Sequence, residues 1–308
     1  MDDNRVRLEV TLARYDHAHP VVCGEVEIAG VRPRFVRPAT PTTCADLLAA
    51  GGPDLADVAL PDYLRHRGAG DDRLTALPVF LSRAFRHRSI LVHRDRVRSA
   101  HDLAGARVGA LDRLAPAVVN AVGLLVDSHG LDPARLSWIS AADETDLAAR
   151  LSEGSIDVAV ATSPSAVLSA AGGAAIGPLF DDPVSAERGY AEKTGVLPIE
   201  RTLVARSEVI RRHRWLASNI YRSFEIARRR YFQRLSDIRA SRVPIPGAPQ
   251  HYRALQQVFG DDFWPYGIAA NAASLEAALR YAADQGIPLA GRDVDDYFAP
   301  VEPFVDGS

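Results

Sequence analysis

The chain has 308 residues, 36 Lys and Arg against 39 Asp and Glu, a formal net charge of −3 and 47% apolar residues. This length suits one large α/β domain or two smaller ones, and the balanced charge argues against nucleic acid or an anionic membrane as the main partner. No apolar stretch follows a basic start and no run of about 18 apolar residues occurs, so the sequence predicts a cytoplasmic protein without signal peptide or membrane span.

Apolar runs of strand length alternate with amphipathic stretches over the first two thirds of the chain. Strands are predicted at residues 7–14, 32–38, 56–62, 74–81, 89–93, 136–140, 157–164 and 202–206. Helices are predicted at residues 42–51, 116–130, 144–154, 213–238, 250–260 and 274–286. Such alternation is typical of mostly parallel sheets with helices on both faces.

The sequence therefore predicts an α/β protein with two lobes and a ligand-binding cleft between them. Residues 1–83 and 203–308 are expected to form the first, discontinuous lobe, which includes a helical C-terminal third. Residues 84–202 are expected to form the second lobe. Ligands of such folds bind at the carboxyl ends of parallel strands or between lobes.

A short cationic segment lies between two predicted strands, in the stretch PVFLSRAFRHRSILV at 78–92. An Arg side chain presents a planar fork that matches a carboxylate in a bidentate way. Arg83 and Arg86, next to Ser82 and His87, are therefore predicted to bind a small carboxylate or dicarboxylate in the cleft. The alternative is a solvated loop whose Arg residues face water.

Aromatic residues are concentrated in the stretch GDDFWPYG at 260–267. Trp264 and Tyr266 offer flat faces with polar ends, which suit an aromatic ligand. The alternative is a loop that packs its aromatic side chains onto the domain surface.

The end of the first predicted strand carries the stretch RYDHAHP at 14–20. Asp16 or His17 could serve there as an acid or base, and the His-x-His spacing is only a weak metal signal. In KTGVLPIERTL, Glu200 and Arg201 could face the cleft or form a structural ion pair. No P-loop, dinucleotide fingerprint or nucleophile elbow is present, so neither an organic cofactor nor a metal is expected.

Four stretches, in the same order along the chain, resemble the 4,5-dihydroxyphthalate decarboxylase family. They are LPVFLSRAFRHRSILV (77–92), DLAGARVGAL (102–111), TGVLPIERTL (194–203) and DDFWPYGIAANAAS (261–274). Tyr15 and Asp16 after the first strand also fit this family. The resemblance implies a type II periplasmic-binding-protein-like fold and non-oxidative decarboxylation of an aromatic acid without an organic cofactor.

The resemblance also implies roles for individual residues. His87 or Asp16 would donate or relay the proton, since a His near its ordinary pKa can do either. The residues expected to bind the substrate are Tyr15, Ser82, Arg83, Arg86, Arg201, Trp264 and Tyr266.

Several positions depart from the family pattern: Leu60, Asp62, Arg201 and Ala272. These departures leave an altered substrate or another lyase reaction open. Two alternatives therefore accompany the decarboxylase prediction. One is a lyase resembling chorismate dehydratase that acts on a cyclic carboxylate, and the other is a non-catalytic cytoplasmic protein that binds a small carboxylate. The oligomeric state, including a homo-oligomer, is left open.

Overall fold

The structure is a computed structural model that describes residues 5–173, 175–237, 246–289 and 293–304. The chain forms two compact units, each with its own five-stranded sheet. The first unit takes in the described residues of 1–82, 201–272 and 290–308, and the second takes in those of 83–200 and 273–289.

Eight of the ten strands within the described residues follow the predicted order with adjusted ends. The ten strands are β1 Val6–Thr11, β2 Val31–Val36, β3 Leu55–Ala59, β4 Leu74–Arg83, β5 Ile90–His93, β6 Arg107–Ala110, β7 Ser137–Ser140, β8 Val158–Val160, β9 Ile176–Pro178 and β10 Ile199–Arg206. The two strands beyond those eight are β6 and β9.

The sheet of the first unit has the order β2-β1-β3-β10-β4. β1 runs parallel to both β2 and β3, and β10 runs antiparallel to β3. β4 lies at one edge and is nevertheless buried along most of its length. A parallel bridge from Ala76 to Phe298 covers part of that edge.

The sheet of the second unit has the order β7-β6-β8-β5-β9. β6 is parallel to β7 and β8, whereas β5 is antiparallel to β8 and β9. Leu91, Leu147 and Ile156 belong to the buried cluster beside this sheet. The predicted fold class, α/β with mixed sheets flanked by helices, is confirmed, although parallel pairs do not predominate in the second sheet.

Eleven α-helices occur within the described residues. They are α1 His19–Val22, α2 Cys44–Leu48, α3 Leu60–Gly68, α4 Pro116–His129, α5 Glu144–Glu153, α6 Pro164–Ala171, α7 Pro183–Thr194, α8 Ser207–Arg212, α9 Leu216–Ser236, α10 Ala248–Phe259 and α11 Ala272–Asp284. None of these helices has the length and apolar character needed to cross a bilayer.

Two predicted elements needed correction, and a further helix was not predicted. The strand predicted at 56–62 ends at Ala59, because Pro61 fits the first turn of a helix and α3 begins at Leu60. The long helix predicted from residue 213 begins only at Leu216, because the backbone at His213 is not helical. Helix α7 was not predicted, although Asp182 caps its start.

The segment 273–289 belongs to the second unit, whereas the sequence analysis assigned it to the first lobe. The reason is close packing of α11 against α4. The Tyr281 ring lies so near Gly123 that a Cβ there would be only 2.2 Å from it. Gln285 Nε2 also donates a hydrogen bond to the Val119 carbonyl at 2.9 Å.

Candidate active site

A cavity lies at the carboxyl edge of the first sheet. Since β1, β2 and β3 are parallel, the chain leaves all three strands at the same edge. The antiparallel β10 brings Arg201 opposite Ala59, the last residue of β3. The loops 13–15 and 37–41, which follow β1 and β2, meet Asp57 and Arg201 around a cavity of about 290 Å³. We take this cavity as the candidate active site.

Asp57 is the buried acid of the cavity, with a side chain only 1% exposed. Its Oδ2 accepts hydrogen bonds from the Tyr15 hydroxyl at 2.7 Å and from Arg201 Nε at 3.1 Å. Among the described residues, Asp57 Oδ1 has no hydrogen-bond partner. A buried carboxylate oxygen without a partner costs free energy, so a ligand that donates a hydrogen bond here would be favoured.

Burial raises the pKa of the Tyr15 hydroxyl above its ordinary value. The neighbouring Asp57 carboxylate acts in the same direction, and the Arg201 guanidinium lowers the pKa in opposition. Tyr15 is therefore a neutral hydrogen-bond donor to Asp57 at physiological pH.

Arg201 is held with part of its guanidinium unused. Its Nη2 donates to the backbone carbonyls of Asp57 at 2.9 Å and Thr42 at 3.4 Å. In the part of the chain that the structure describes, no acceptor pairs with Nη1. This nitrogen is therefore the group of Arg201 that a ligand anion can bind.

Arg14 and Arg37 add two exposed cations to the cavity lining. No carboxylate of the described residues lies within ion-pair distance of either side chain. With Arg201, the lining holds three cations against the single Asp57 carboxylate. The cavity thus carries an excess of two positive charges and suits a small dianion.

His17 lies inside a cluster of aromatic rings next to this cavity. Its ring centroid is 5.7 Å from that of Tyr15, 5.8 Å from that of Trp264 and 6.4 Å from that of Tyr266. The structure thus brings three of the predicted residues together around a His that the sequence analysis had considered only as an alternative. The sequence signal for His17 was its position two residues after Tyr15.

The loop 260–267 that carries Trp264 and Tyr266 is tied to β4. Trp264 Nε1 donates to the Phe80 carbonyl at 3.2 Å. Asn271 Nδ2 donates to the carbonyls of Pro265 at 3.0 Å and Gly267 at 2.7 Å, which fixes the end of the loop. Both aromatic side chains therefore have a defined position.

A buried ion network holds the start of the same loop. Arg228 forms bidentate ion pairs with Glu225 and with Asp262. The Arg228 side chain is 3% exposed, and its guanidinium lies 5.5 Å from the centroid of the Tyr266 ring. Tyr266 is therefore packed against a cation that carboxylates already neutralise.

Arg83 and Arg86 belong to the second unit and have protein partners there. Arg83 is 7% exposed, and its Nη1 donates to the Leu197 carbonyl at 3.3 Å. Arg86 forms an ion pair with Glu200, a residue that is 6% exposed. Glu200 and Arg201 each form a structural ion pair, Glu200 with Arg86 and Arg201 with Asp57, because neighbouring residues of a strand point to opposite faces.

His87 also belongs to the second unit and is almost fully buried, at 2% exposed. Its ring lies 5.0 Å from that of Phe180 and 5.6 Å from that of Tyr190. Burial lowers the pKa of His87 to about 4, and the nearby His129 adds to this effect. His87 is therefore neutral at physiological pH.

The remaining predicted residues lie in different surroundings. Asp16 is exposed in the loop after β1, and Ser82 is half-buried near the end of β4. Within the described segments, no group of three His, Cys, Asp or Glu side chains could hold a metal ion.

The positions that depart from the family pattern do not line this cavity, except for Arg201. Leu60 is buried in α3, and Asp62 accepts a hydrogen bond from the Cys44 backbone at 2.8 Å. Ala272 is an exposed residue at the start of α11. The acid that the strand contributes is instead Asp57, which the sequence analysis missed.

Solved structures with the same fold are periplasmic binding proteins and proteins that share their architecture. The aliphatic sulphonate binding protein SsuA of Escherichia coli is 13% identical, with a TM-score of 0.56 over 96% of this chain and 97% of that one. The Candida albicans CA3427 gene product, described as having the generic periplasmic binding protein fold, is 11% identical, with a TM-score of 0.53 over 98% of both chains. The desulfurization enzyme DszB is 16% identical, with a TM-score of 0.50 over 95% and 96%. The chain therefore has the periplasmic binding protein fold.

Two curated relatives are both named 4,5-dihydroxyphthalate decarboxylase. The protein from Comamonas testosteroni is 28% identical over 294 residues, which cover 87% of this chain and 89% of the relative. The protein from Pseudomonas putida is 34% identical over 137 residues, which cover 44% of this chain and 53% of the relative. No family model matches the chain. The chain is a homologue of these two proteins, and the resemblance predicted from its motifs is confirmed.

Proposed function

We propose that this protein is a cofactor-independent carboxy-lyase that decarboxylates a hydroxylated aromatic acid of the phthalate or benzoate type. The observation that carries the proposal is the cationic cavity at the carboxyl edge of the first sheet. The names of the two curated relatives support the reaction class. The prediction that the acid binds between two lobes stays a prediction.

The charge of the cavity supports an acid with two carboxylates. Arg14, Arg37 and Arg201 outnumber Asp57 by two charges, which matches a phthalate-like dianion. A volume of about 290 Å³ lies near the lower end of the roughly 300–1,000 Å³ of small-molecule sites, and this suits a single ring.

Decarboxylation of an arene requires a place for the electrons of the broken bond. A hydroxyl ortho or para to the carboxylate lets the ring accept a proton at the carbon that bears the carboxylate, which gives a dienone-like intermediate. Loss of carbon dioxide then restores the aromatic ring. The protein must hold the acid, deliver a proton to carbon and keep the leaving carboxylate poorly solvated.

We assign the proton delivery to the loop after β1. His17 packs against Tyr15, a residue of the cavity lining, and exposed Asp16 adjoins it in the chain. Histidine can act as a general acid or base, and its ring here lies beside the cavity lining. The predicted role of His87 is then limited to accepting or relaying a proton, because its lowered pKa leaves it neutral.

The other predicted residues hold the ring and its carboxylates. Tyr15 and Arg201 line the cavity, and Trp264 and Tyr266 flank His17. The roles of Ser82, Arg83 and Arg86 in substrate binding stay predictions.

The test is product formation from 4,5-dihydroxyphthalate. Purified protein is incubated with this acid, and carbon dioxide and 3,4-dihydroxybenzoate are measured together, with and without a chelator. We expect both products in equal amounts and no effect of the chelator. Binding without product over hours would favour the alternative of a carboxylate-binding protein, which the likeness of the fold to SsuA also favours. If the protein neither binds this acid nor forms product from it, the proposal is contradicted.

A further inference from the structure

One corner of the cavity has more hydrogen-bond acceptors than donors. It consists of the Tyr15 hydroxyl and the Asp57 carboxylate, and we call it the acceptor corner. Both residues line the cavity. The imbalance bears on which ligands the cavity can accommodate.

The donors of the acceptor corner are already committed. The single hydrogen of the Tyr15 hydroxyl goes to Asp57 Oδ2 at 2.7 Å. Asp57 is ion-paired with Arg201 at 3.1 Å, and a carboxylate only accepts hydrogen bonds. The Tyr15 oxygen can therefore offer a ligand only lone pairs.

Acceptor capacity is left over at Asp57. The Asp57 side chain is only 1% exposed, and its buried Oδ1 has no hydrogen-bond partner among the described residues. Native structures leave few buried polar atoms unsatisfied, and each one calls for an explanation. A donor on a bound ligand is such an explanation.

The opposite imbalance holds for the cations of the same cavity. Arg14, Arg37 and Nη1 of Arg201 offer N–H donors and lack acceptors among the described residues. A ligand that satisfies both sets must bring carboxylate oxygens for the cations and a hydroxyl hydrogen for the acceptor corner.

We propose that Tyr15 and Asp57 recognise a ring hydroxyl and thereby select hydroxylated aromatic acids over unsubstituted ones. This inference rests on the proposed function insofar as it takes an aromatic acid as the ligand. Asp57 has a second task in this arrangement, since it also positions the Arg201 guanidinium. If Asp57 served only as the counter-charge of Arg201, a ring hydroxyl would bring no gain in affinity.

The experiment compares the affinities of 4-hydroxyphthalate and phthalate by isothermal titration calorimetry. The proteins are the wild type, Tyr15→Phe, Asp57→Asn and the control Tyr252→Phe, which removes a hydroxyl outside this cavity. A hydrogen bond to a charged acceptor such as the Asp57 carboxylate corresponds to a preference of at least about tenfold. We expect this preference for 4-hydroxyphthalate in the wild type and in Tyr252→Phe, and a smaller preference in the other two variants.

Equal affinities in the wild type, or an unchanged preference in Tyr15→Phe, would overturn the inference. Tyr15→Phe removes only an oxygen at a half-buried position, so it provides the test even if Asp57→Asn fails to fold. Carbon dioxide release is measured separately on the wild type. Release without a hydroxyl preference would overturn only this inference, whereas a preference without release would overturn only the proposed decarboxylation.

Discussion

The stability of the second unit should depend on pH through His87. Burial lowers the pKa of His87 from 6.5 to about 4 in the folded protein. Below pH 6.5 the unfolded chain therefore binds a proton that the folded protein does not bind. The stabilisation is complete above pH 6.5 and is lost progressively as the pH falls towards 4.

The size of this effect follows from the two pKa values. Each pH unit between them corresponds to about 1.4 kcal/mol, so lowering the pH from 7 to 5 should cost about 2 kcal/mol through His87 alone. His129, whose charge acts on His87, also has a pKa lowered by burial and adds to the total. The variant His87→Gln keeps His129, so the difference between the wild type and this variant reports the contribution of His87 alone.

The assay is urea unfolding at pH 7 and pH 5, followed by tryptophan fluorescence. Trp138 is the tryptophan of the second unit, so Trp215→Phe and Trp264→Phe together make the signal specific for that unit. In this background, His87→Gln should lose about 2 kcal/mol less stability between the two pH values than its parent. Replacement of the exposed His251 by Gln should leave the pH dependence unchanged. An equal pH dependence with and without His87 would refute the reasoning.

Other substitutions test the support of the aromatic loop. Arg228→Ala leaves the buried Glu225 without its main partner and should destabilise the protein by about 3–5 kcal/mol in urea unfolding. Arg230→Ala breaks an exposed ion pair and an exposed hydrogen bond with Glu25 and should cost less than about 1 kcal/mol. Equal costs would contradict the burial of the network. Asn271→Ala removes two hydrogen bonds to the loop and should lower the free energy of unfolding by about 1–3 kcal/mol. The fluorescence of Trp264 should change as well. An unaltered spectrum would show that Asn271 does not position the loop.

Local sequence patterns were sufficient to predict most strands and several helices. Apolar runs set β1, β4 and β10, and the Thr43 capping box marks the start of α2. One error arose where an apolar run continued from a strand into a helix. Pro61 lies two residues after the end of β3, and it was taken for part of the strand although it marks the first turn of α3.

The site was harder to predict because its contacts join distant segments. Tyr15 and Arg201 were predicted, and both line the cavity. Asp57 was missed, since only the antiparallel pairing of β3 with β10 places it against Arg201. The usable signal was an acid inside the apolar run LADVAL, because a buried carboxylate needs a partner.

The cationic segment shows the limit of arguing from charge alone. The sequence shows the Arg residues, but it does not show which residues they pair with. Arg86 pairs with Glu200, 114 residues later in the chain, and Arg83 reaches the carbonyl of Leu197. Within the cavity lining, the cations that lack a partner among the described residues are Arg14 and Arg37, which follow β1 and β2 as single residues and form no motif.

The most direct test of ligand binding in the cavity is the affinity for 4,5-dihydroxyphthalate after loss of one exposed cation. Arg37→Gln removes a charge from the cavity lining, and Arg135→Gln removes the same charge from an exposed position in the second unit. Both variants should fold like the wild type, because neither side chain is buried. Calorimetric titration should give about tenfold weaker binding for Arg37→Gln and unchanged binding for Arg135→Gln. Equal affinities in the two variants would contradict binding of the acid at this edge of the sheet.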